Sequence, residues 1–125
     1  MANPHIPPHD ETAEQSVLGS VLLDKDALID VAEFLRPAHF YKESNGIIYS
    51  AMLSLFESHE PVDVVTVTSE IKKLGKLKDV GGASYVSELV NLVPTSAHAE
   101  KYGRIVQDHY VKRQLISAAA KITEN

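Results

Sequence analysis

The side chains here that could do chemistry are six histidines, a lysine run, a Gly-Lys pair and seventeen carboxylates, and their spacing decides which reactions are open to them. Gly75-Lys76 is the nearest approach to a phosphate-binding loop. The position five before Gly75 is Glu70 rather than Gly, and Leu77 replaces the Ser or Thr that would reach magnesium, so no nucleotide is held that way. His5 and His9 stand four apart, a metal-pair spacing on a helix, but Pro7 and Pro8 between them exclude the helix. His39, His59, His98 and His109 are scattered, without a His-Glu-x-x-His, and read as surface or capping residues. There is no Gly-x-Ser-x-Gly elbow, and the carboxylates are spread over caps and exposed faces. Lys72, Lys73, Lys76 and Lys78 form the one dense basic cluster. No aromatic residues interleave it, and it falls at a helix end, where cations complement the dipole.

With catalysis set aside, two classes remain: a helical module that touches other proteins, and a small helical DNA-binding module using the Lys72 to Lys78 cluster. Composition favours the first. The chain has 125 residues, 44% of them apolar, enough for one core, and a net charge of -5. That charge, with a pI near 5.6, gives no general attraction to phosphate backbones or anionic membranes. Without cysteine there is neither a disulfide framework nor a thiolate metal site, which fits a reducing compartment. The N-terminus MANPHIPPHDE lacks the apolar core of a signal peptide, and no apolar run approaches the roughly 18 residues of a membrane span. The expectation is a soluble, cytoplasmic protein.

Any binding surface must be positioned by amphipathic helices. Thr12 followed by Gln15 predicts a capping box, after which Ala13, Val17, Leu18, Val21 and Leu22 recur at helical spacing, with Glu11 and Glu14 near the positive end of the dipole. Gly19 is read in two ways, as an incidental residue of a core helix or as the place where another helix crosses closely. A second helix is predicted from Asp24 to Leu35, with Leu28, Val31, Ala32 and Leu35 inward and Pro37 beyond its end. Ala38 to Tyr41 reads as a turn whose Phe40 and Tyr41 plug the core. The pairs Ile47/Ile48, Ala51/Met52 and Leu55/Phe56 predict a third helix over 44–58.

Val62 to Thr68, VDVVTVT, has the β-propensity of a strand. Asp63 is nonetheless a good N-cap, and Val64, Val67, Ile71 and Leu74 carry a helical stripe on to Gly75, so the longer period favours helix. Ala83, Val86, Leu89, Val90 and Val93 predict a short helix ended by Pro94. Thr95 or Ser96 then caps a last helix with no breaker before Asn125. Its roughly 29 residues would span about 43 Å, against about 36 Å for a compact domain of this size. It should overhang, and its outer stripe, Val111, Leu115, Ala118, Ala119 and Ile122, needs a cover from following chain or another protein.

These residues together resemble the N-terminal domain of bacterial DnaB-type replicative helicases. The resemblance is carried by Pro8 with AEQSVLG at 13–19, LLD at 22–24, Phe40-Tyr41, Ile48 to Met52 and EPVDVVTVT at 60–68. It continues through VGGASYVSEL at 80–89, VPTSA at 93–97, and Tyr102 with Arg104 to Val106. It implies an all-α fold: a helical head of about five helices over 11–94, followed by a long helix, 95–125, that is the first arm of a helical hairpin; ahead of the head, residues 1–10, with three of the six prolines, read on their own as a flexible arm. It further implies full-length, ATP-driven hexameric rings that unwind DNA, with ATP and Mg in a separate motor domain that lies outside this chain together with the second hairpin arm. On that reading the chain is a non-catalytic collar without a cofactor of its own. Its partners are DNA primase and other helicase protomers, with DNA met only through the full-length ring and no membrane. His39 and the stretch Lys42 to Gly46 depart from the family pattern at a turn and a helix start, where they bear on local contacts rather than the fold.

The resemblance also carries over three primase-docking positions, Tyr85, Ile116 and Ile122. Tyr85 lies off its helix's core stripe, as a partner-anchoring aromatic does, and Ile116 lies off the outer stripe of the last helix. Ile122 is on that stripe, where packing against the second arm accounts for it equally well. Ordinary intramolecular packing is the alternative for all three. With one arm only, the chain is expected to be a monomer or weak dimer rather than a hexamer.

Overall fold

Asp10, two residues ahead of the expected cap, opens the first helix. Its backbone is extended and its Oδ1 accepts the Ala13 N–H at 2.9 Å, so α1 runs Glu11–Leu23. Thr12 and Gln15 therefore make no capping box. Thr12 lies within the first turn, its carbonyl accepting the Ser16 hydroxyl at 2.7 Å. The physical reason is that a carboxylate is a stronger acceptor than a hydroxyl for an N–H at the positive end of a helix dipole.

The computed structural model describes residues 6–124. They form α1, α2 (Asp26–Ala32), a 3-10 turn (Pro37–His39), α3 (Glu43–Glu57), α4 (Val64–Lys73), α5 (Gly82–Val90) and α6 (Ala99–Glu124). The fold is all-α, with no strand among the described residues. Helix α1 is central: α2, α3, α5 and α6 all pack on it. Val17, Leu18 and Val21 on its inner face are completely buried, as are Leu28, Val31, Leu35, Ile48, Met52, Val67, Ile71, Val86 and Leu89 around them. Each such side chain contributes about 1.5–3 kcal/mol of hydrophobic stabilisation.

Glycine sets two of the crossings. A Cβ at Gly19 would collide with the Leu89 carbonyl oxygen, so α5 crosses α1 as closely as the second reading of Gly19 required. At Gly103 a Cβ would lie 3.1 Å from both Phe34 and Val31, which brings α6 down onto α2 and the turn after it.

The valine-rich stretch is helical. Asp63 Oδ1 accepts the Thr66 N–H and Thr66 Oγ1 accepts the Asp63 N–H, both at 2.9 Å, a reciprocal cap that commits the chain to α4. The stripe ends at Ile71, however. Gly75, at φ +70°, turns the chain back, leaving Leu74 55% exposed, while Leu77 beyond the turn packs against the core. Ala83 is likewise exposed in the first turn of α5, whose buried residues are Val86 and Leu89. Helix α2 is shorter than expected, with Asp24 accepting the Asp26 N–H at 3.0 Å and Leu35 buried just past the helix end. Phe40 plugs the core, but Tyr41 remains 39% exposed. The last helix begins at Ala99; Thr95 instead accepts the Ala97 N–H at 3.2 Å in the turn before it. His5, of the considered metal pair, and the first half of the expected arm lie outside the described residues, whereas Pro8, His9 and Asp10 are half-buried.

Helix α6 has 26 residues, a length of about 39 Å, and it overhangs. Ala99, Gly103 and Val106 are buried in its inner half, whereas every residue from Gln114 to Thr123 is exposed.

Candidate protein-interaction site

Tyr85 projects from α5 toward the starts of α1 and α3. Its ring is half-buried against the core edge, and its hydroxyl donates to Asn45 Oδ1 at 2.7 Å and accepts from Gln15 Nε2 at 3.3 Å. Asn45, completely buried in the first turn of α3, passes the connection on: its Nδ2 donates to Glu14 Oε1 at 3.0 Å. Glu14, 1% exposed, also accepts the backbone N–H groups of Tyr41 at 2.7 Å and Lys42 at 3.3 Å. A carboxylate on α1 thus serves as the cap of α3, satisfying N–H groups at the positive end of that helix.

This network gives Tyr85 a structural task beside any binding role. Burial pushes its phenol above the usual 10, opposed by the hydrogen bond from Gln15. The proton therefore stays in place to donate to Asn45, and the ring is held at the surface in one orientation.

Ile116 and Ile122 are placed differently. They are 58% and 76% exposed on the outer half of α6, with Val111 at 49% and Leu115 at 66% beside them. Tyr85 packs against the core and these aliphatic residues do not; α5 and α6 meet α1 separately. The three positions carried over from the family are therefore two features, a fixed aromatic on the head and a free apolar helix end. Fixed phenols and exposed aliphatic side chains suit a protein partner, since they offer contact area at low ordering cost.

Sequence reasoning gave Gln15 to a capping box and Glu14 to the dipole of α1 and passed over Asn45, and none of the three was read as part of a network with Tyr85. The signal was present for two of them. Glu14 shares the helical face of Val17, Leu18 and Val21, and Asn45 shares that of Ile48, Tyr49 and Met52, so each is a polar residue interrupting an apolar stripe.

Lys72, Lys73, Lys76 and Lys78 are all exposed at the C-terminal end of α4 and beyond it. Among the described residues no group of three or more His, Cys, Asp or Glu side chains is placed to hold a metal. No described helix is long and apolar enough to cross a membrane.

A family model described as the DnaB-like helicase N terminal domain matches residues 6–108. The chain belongs to this family. The replicative DNA helicase DnaB of Leifsonia xyli subsp. xyli is 49% identical over 118 residues, covering 94% of this chain and 26% of that protein. The chain spans about a quarter of the length of the curated relatives it matches. The crystal structure of the N-terminal domain of DnaB helicase from Mycobacterium tuberculosis shares the fold with a TM-score of 0.93 at 44% identity, covering 95% of this chain and 83% of that one. A structure described as that of a DnaB-like replicative helicase and its interactions with primase gives a TM-score of 0.80 at 31% identity, over 93% of this chain and 27% of the other. In this chain Tyr85 is partly exposed and Ile116 and Ile122 are largely exposed, the two isoleucines lying beyond the residues that the family model matches.

Proposed function

We propose that this chain is the collar of a replicative DNA helicase, organising the ring and receiving DNA primase, and that it has no catalytic part in ATP-driven unwinding. The observation that carries the reading is the likeness, across 93% of the chain, to a DnaB-like helicase studied in its interactions with primase. The exposed Ile116 and Ile122, which core packing leaves unexplained, support it. On this reading residues 11–94 are the head and 95–125 the first arm of a helical hairpin. In the whole helicase the stripe through Val111, Leu115, Ala119 and Ile122 is covered by the second arm or a neighbouring protomer, and ATP with magnesium belongs to the motor. Primase then meets Tyr85 on the head and the Ile116 side of the arm.

The DNA-binding alternative has in its favour the exposed lysines at 72, 73, 76 and 78, but an acidic chain opposes it. Calorimetric titration of the cognate primase's C-terminal region into the full-length protein separates the two. Tyr85→Ala and Ile116→Ala should each weaken binding by about 2 kcal/mol, roughly thirtyfold, with helicity and ring assembly retained. Parent-like affinity in both variants, or loss that merely follows unfolding, refutes the docking surface. Micromolar, steeply salt-dependent DNA binding by the chain would instead favour the basic cluster.

A further inference from the structure

Among the described side chains Arg113 is the last partly buried one of α6, and it is held by two segments remote in sequence. Its Nη1 donates to the Pro8 carbonyl at 2.9 Å and its Nη2 to the His39 carbonyl at 2.8 Å. The guanidinium also lies 5.5 Å from the Tyr41 ring centre and 5.7 Å from that of Tyr110. Around it the His9 ring stacks on Tyr41 at 4.1 Å, and the His39 ring tilts against Tyr110 at 4.6 Å. One arginine thus ties the chain before α1, the 3-10 turn and α6 into a single joint, immediately before the point where α6 leaves the head.

The part of this joint supplied by residues 7–10 is lightly held. Pro7 is exposed, Pro8 contributes a carbonyl, His9 contributes one stacked ring, and none of them enters the core. Asp10, by contrast, is pinned as the cap of α1 and makes a natural pivot. The two prolines keep the segment extended, so it can lift as a unit. With it lifted, the guanidinium keeps the His39 carbonyl alone, and one bond no longer fixes a planar fork in direction.

We propose that Pro7 to Asp10 is a releasable strap: closed on Arg113 and Tyr41 it fixes the direction in which the outer half of α6 leaves the head, and opened it lets that half swing. This does not depend on the identity of any partner. A partner or neighbouring copy that displaced His9 from Tyr41 would redirect the helix end without touching it.

The chain has no cysteine, so nitroxide labels can be placed at Ser50→Cys on α3 and Lys121→Cys on α6, both exposed. Spin-label distances should give one narrow distribution in the parent and broad ones in Arg113→Ala, His9→Ala and Tyr41→Ala. Amide exchange between Tyr110 and Gln114 should be about tenfold faster in Arg113→Ala, while the amides of α3 and α4 keep their parent rates. A distribution already broad in the parent, or narrow in all variants, overturns the proposal. Broadening in Arg113→Ala with His9→Ala and Tyr41→Ala unchanged assigns the hold to the His39 carbonyl and overturns the strap. His9 and Tyr41 place no side chain in the core, so their variants remain informative if Arg113→Ala fails to fold.

Discussion

The start of α3 and the outer half of α6 invert the usual relation between polarity and burial. At the start of α3 a carboxylate, an amide and a phenol are drawn into the head, with Glu14 and Asn45 buried. Along α6 after Arg113, Leu115, Ile116 and Ile122 stand in solvent with two-thirds of their surface exposed on average. The buried polar groups are tolerated because donors and acceptors match: Glu14 receives three N–H groups, and Asn45 both donates and accepts. No such internal pairing rewards the exposed aliphatics, and an apolar patch kept in water marks a surface that something else covers. Polar residues therefore fix the head, while apolar ones stand exposed on the outer half of α6.

Substitution can break either half of this contrast. The largest effect is expected from Glu14→Ala, which leaves the Tyr41 and Lys42 N–H groups and the Asn45 amide without their acceptor. Urea denaturation should show a loss of about 3 kcal/mol. Tyr85→Phe keeps the ring and deletes the hydroxyl that links Asn45 to Gln15, and the same measurement should show a loss of about 1 kcal/mol. If Tyr85→Phe retains primase affinity while Tyr85→Ala loses it, the ring binds and the hydroxyl positions.

A smaller effect is expected from acid. Burial first, then the charges of Arg36 and Arg113, hold the His39 imidazole below its ordinary 6.5, and its Nδ1 accepts the Arg36 N–H at 3.0 Å. The folded chain therefore takes up this proton less readily than the unfolded chain. The associated stability is present above pH 6.5 and is lost as pH falls through the lower folded value. Melting temperatures should decline between neutral pH and pH 5 more in the parent than in His39→Gln. At the small end, Ile122→Ser on the uncovered arm should change the stability of the chain by less than about 0.5 kcal/mol. A large loss there would mean that the outer helix is covered after all.

Much of the head was legible because local signals agreed with the tertiary outcome. Asp63 with the Val67 and Ile71 spacing identified α4 despite its valines, whereas Gly19 left an incidental residue and a close crossing both open until the Leu89 carbonyl beside it decided for the crossing. The reading failed where two acceptors competed or where the deciding neighbour lay far along the chain. Thr12 lost to Asp10 because a carboxylate nearby offered the stronger cap. Leu74 was read inward by periodicity, but the turn at Gly75 took the chain away before it could pack. Glu14 lies in the first turn of its own helix as read, but its carboxylate also receives the N–H groups at the start of α3, a role set by which helix start lies opposite it. For the candidate site the sequence placed Tyr85 off the core stripe of α5 and Ile116 off the outer stripe of α6, but it did not show that Tyr85 is built into the head while Ile116 and Ile122 stand clear of it.

Amide exchange of the full-length protein, with and without the primase C-terminal region, tests the central claim most directly. Free protein should exchange quickly along Gln114 to Thr123 and slowly in the buried turns of α1 and α3. Bound primase should slow exchange along that outer segment and around Tyr85, leaving the exposed lysines of α4 and the turn after it unchanged. Protection confined to Lys72 to Lys78, or none on α6 under saturating primase, would contradict the account.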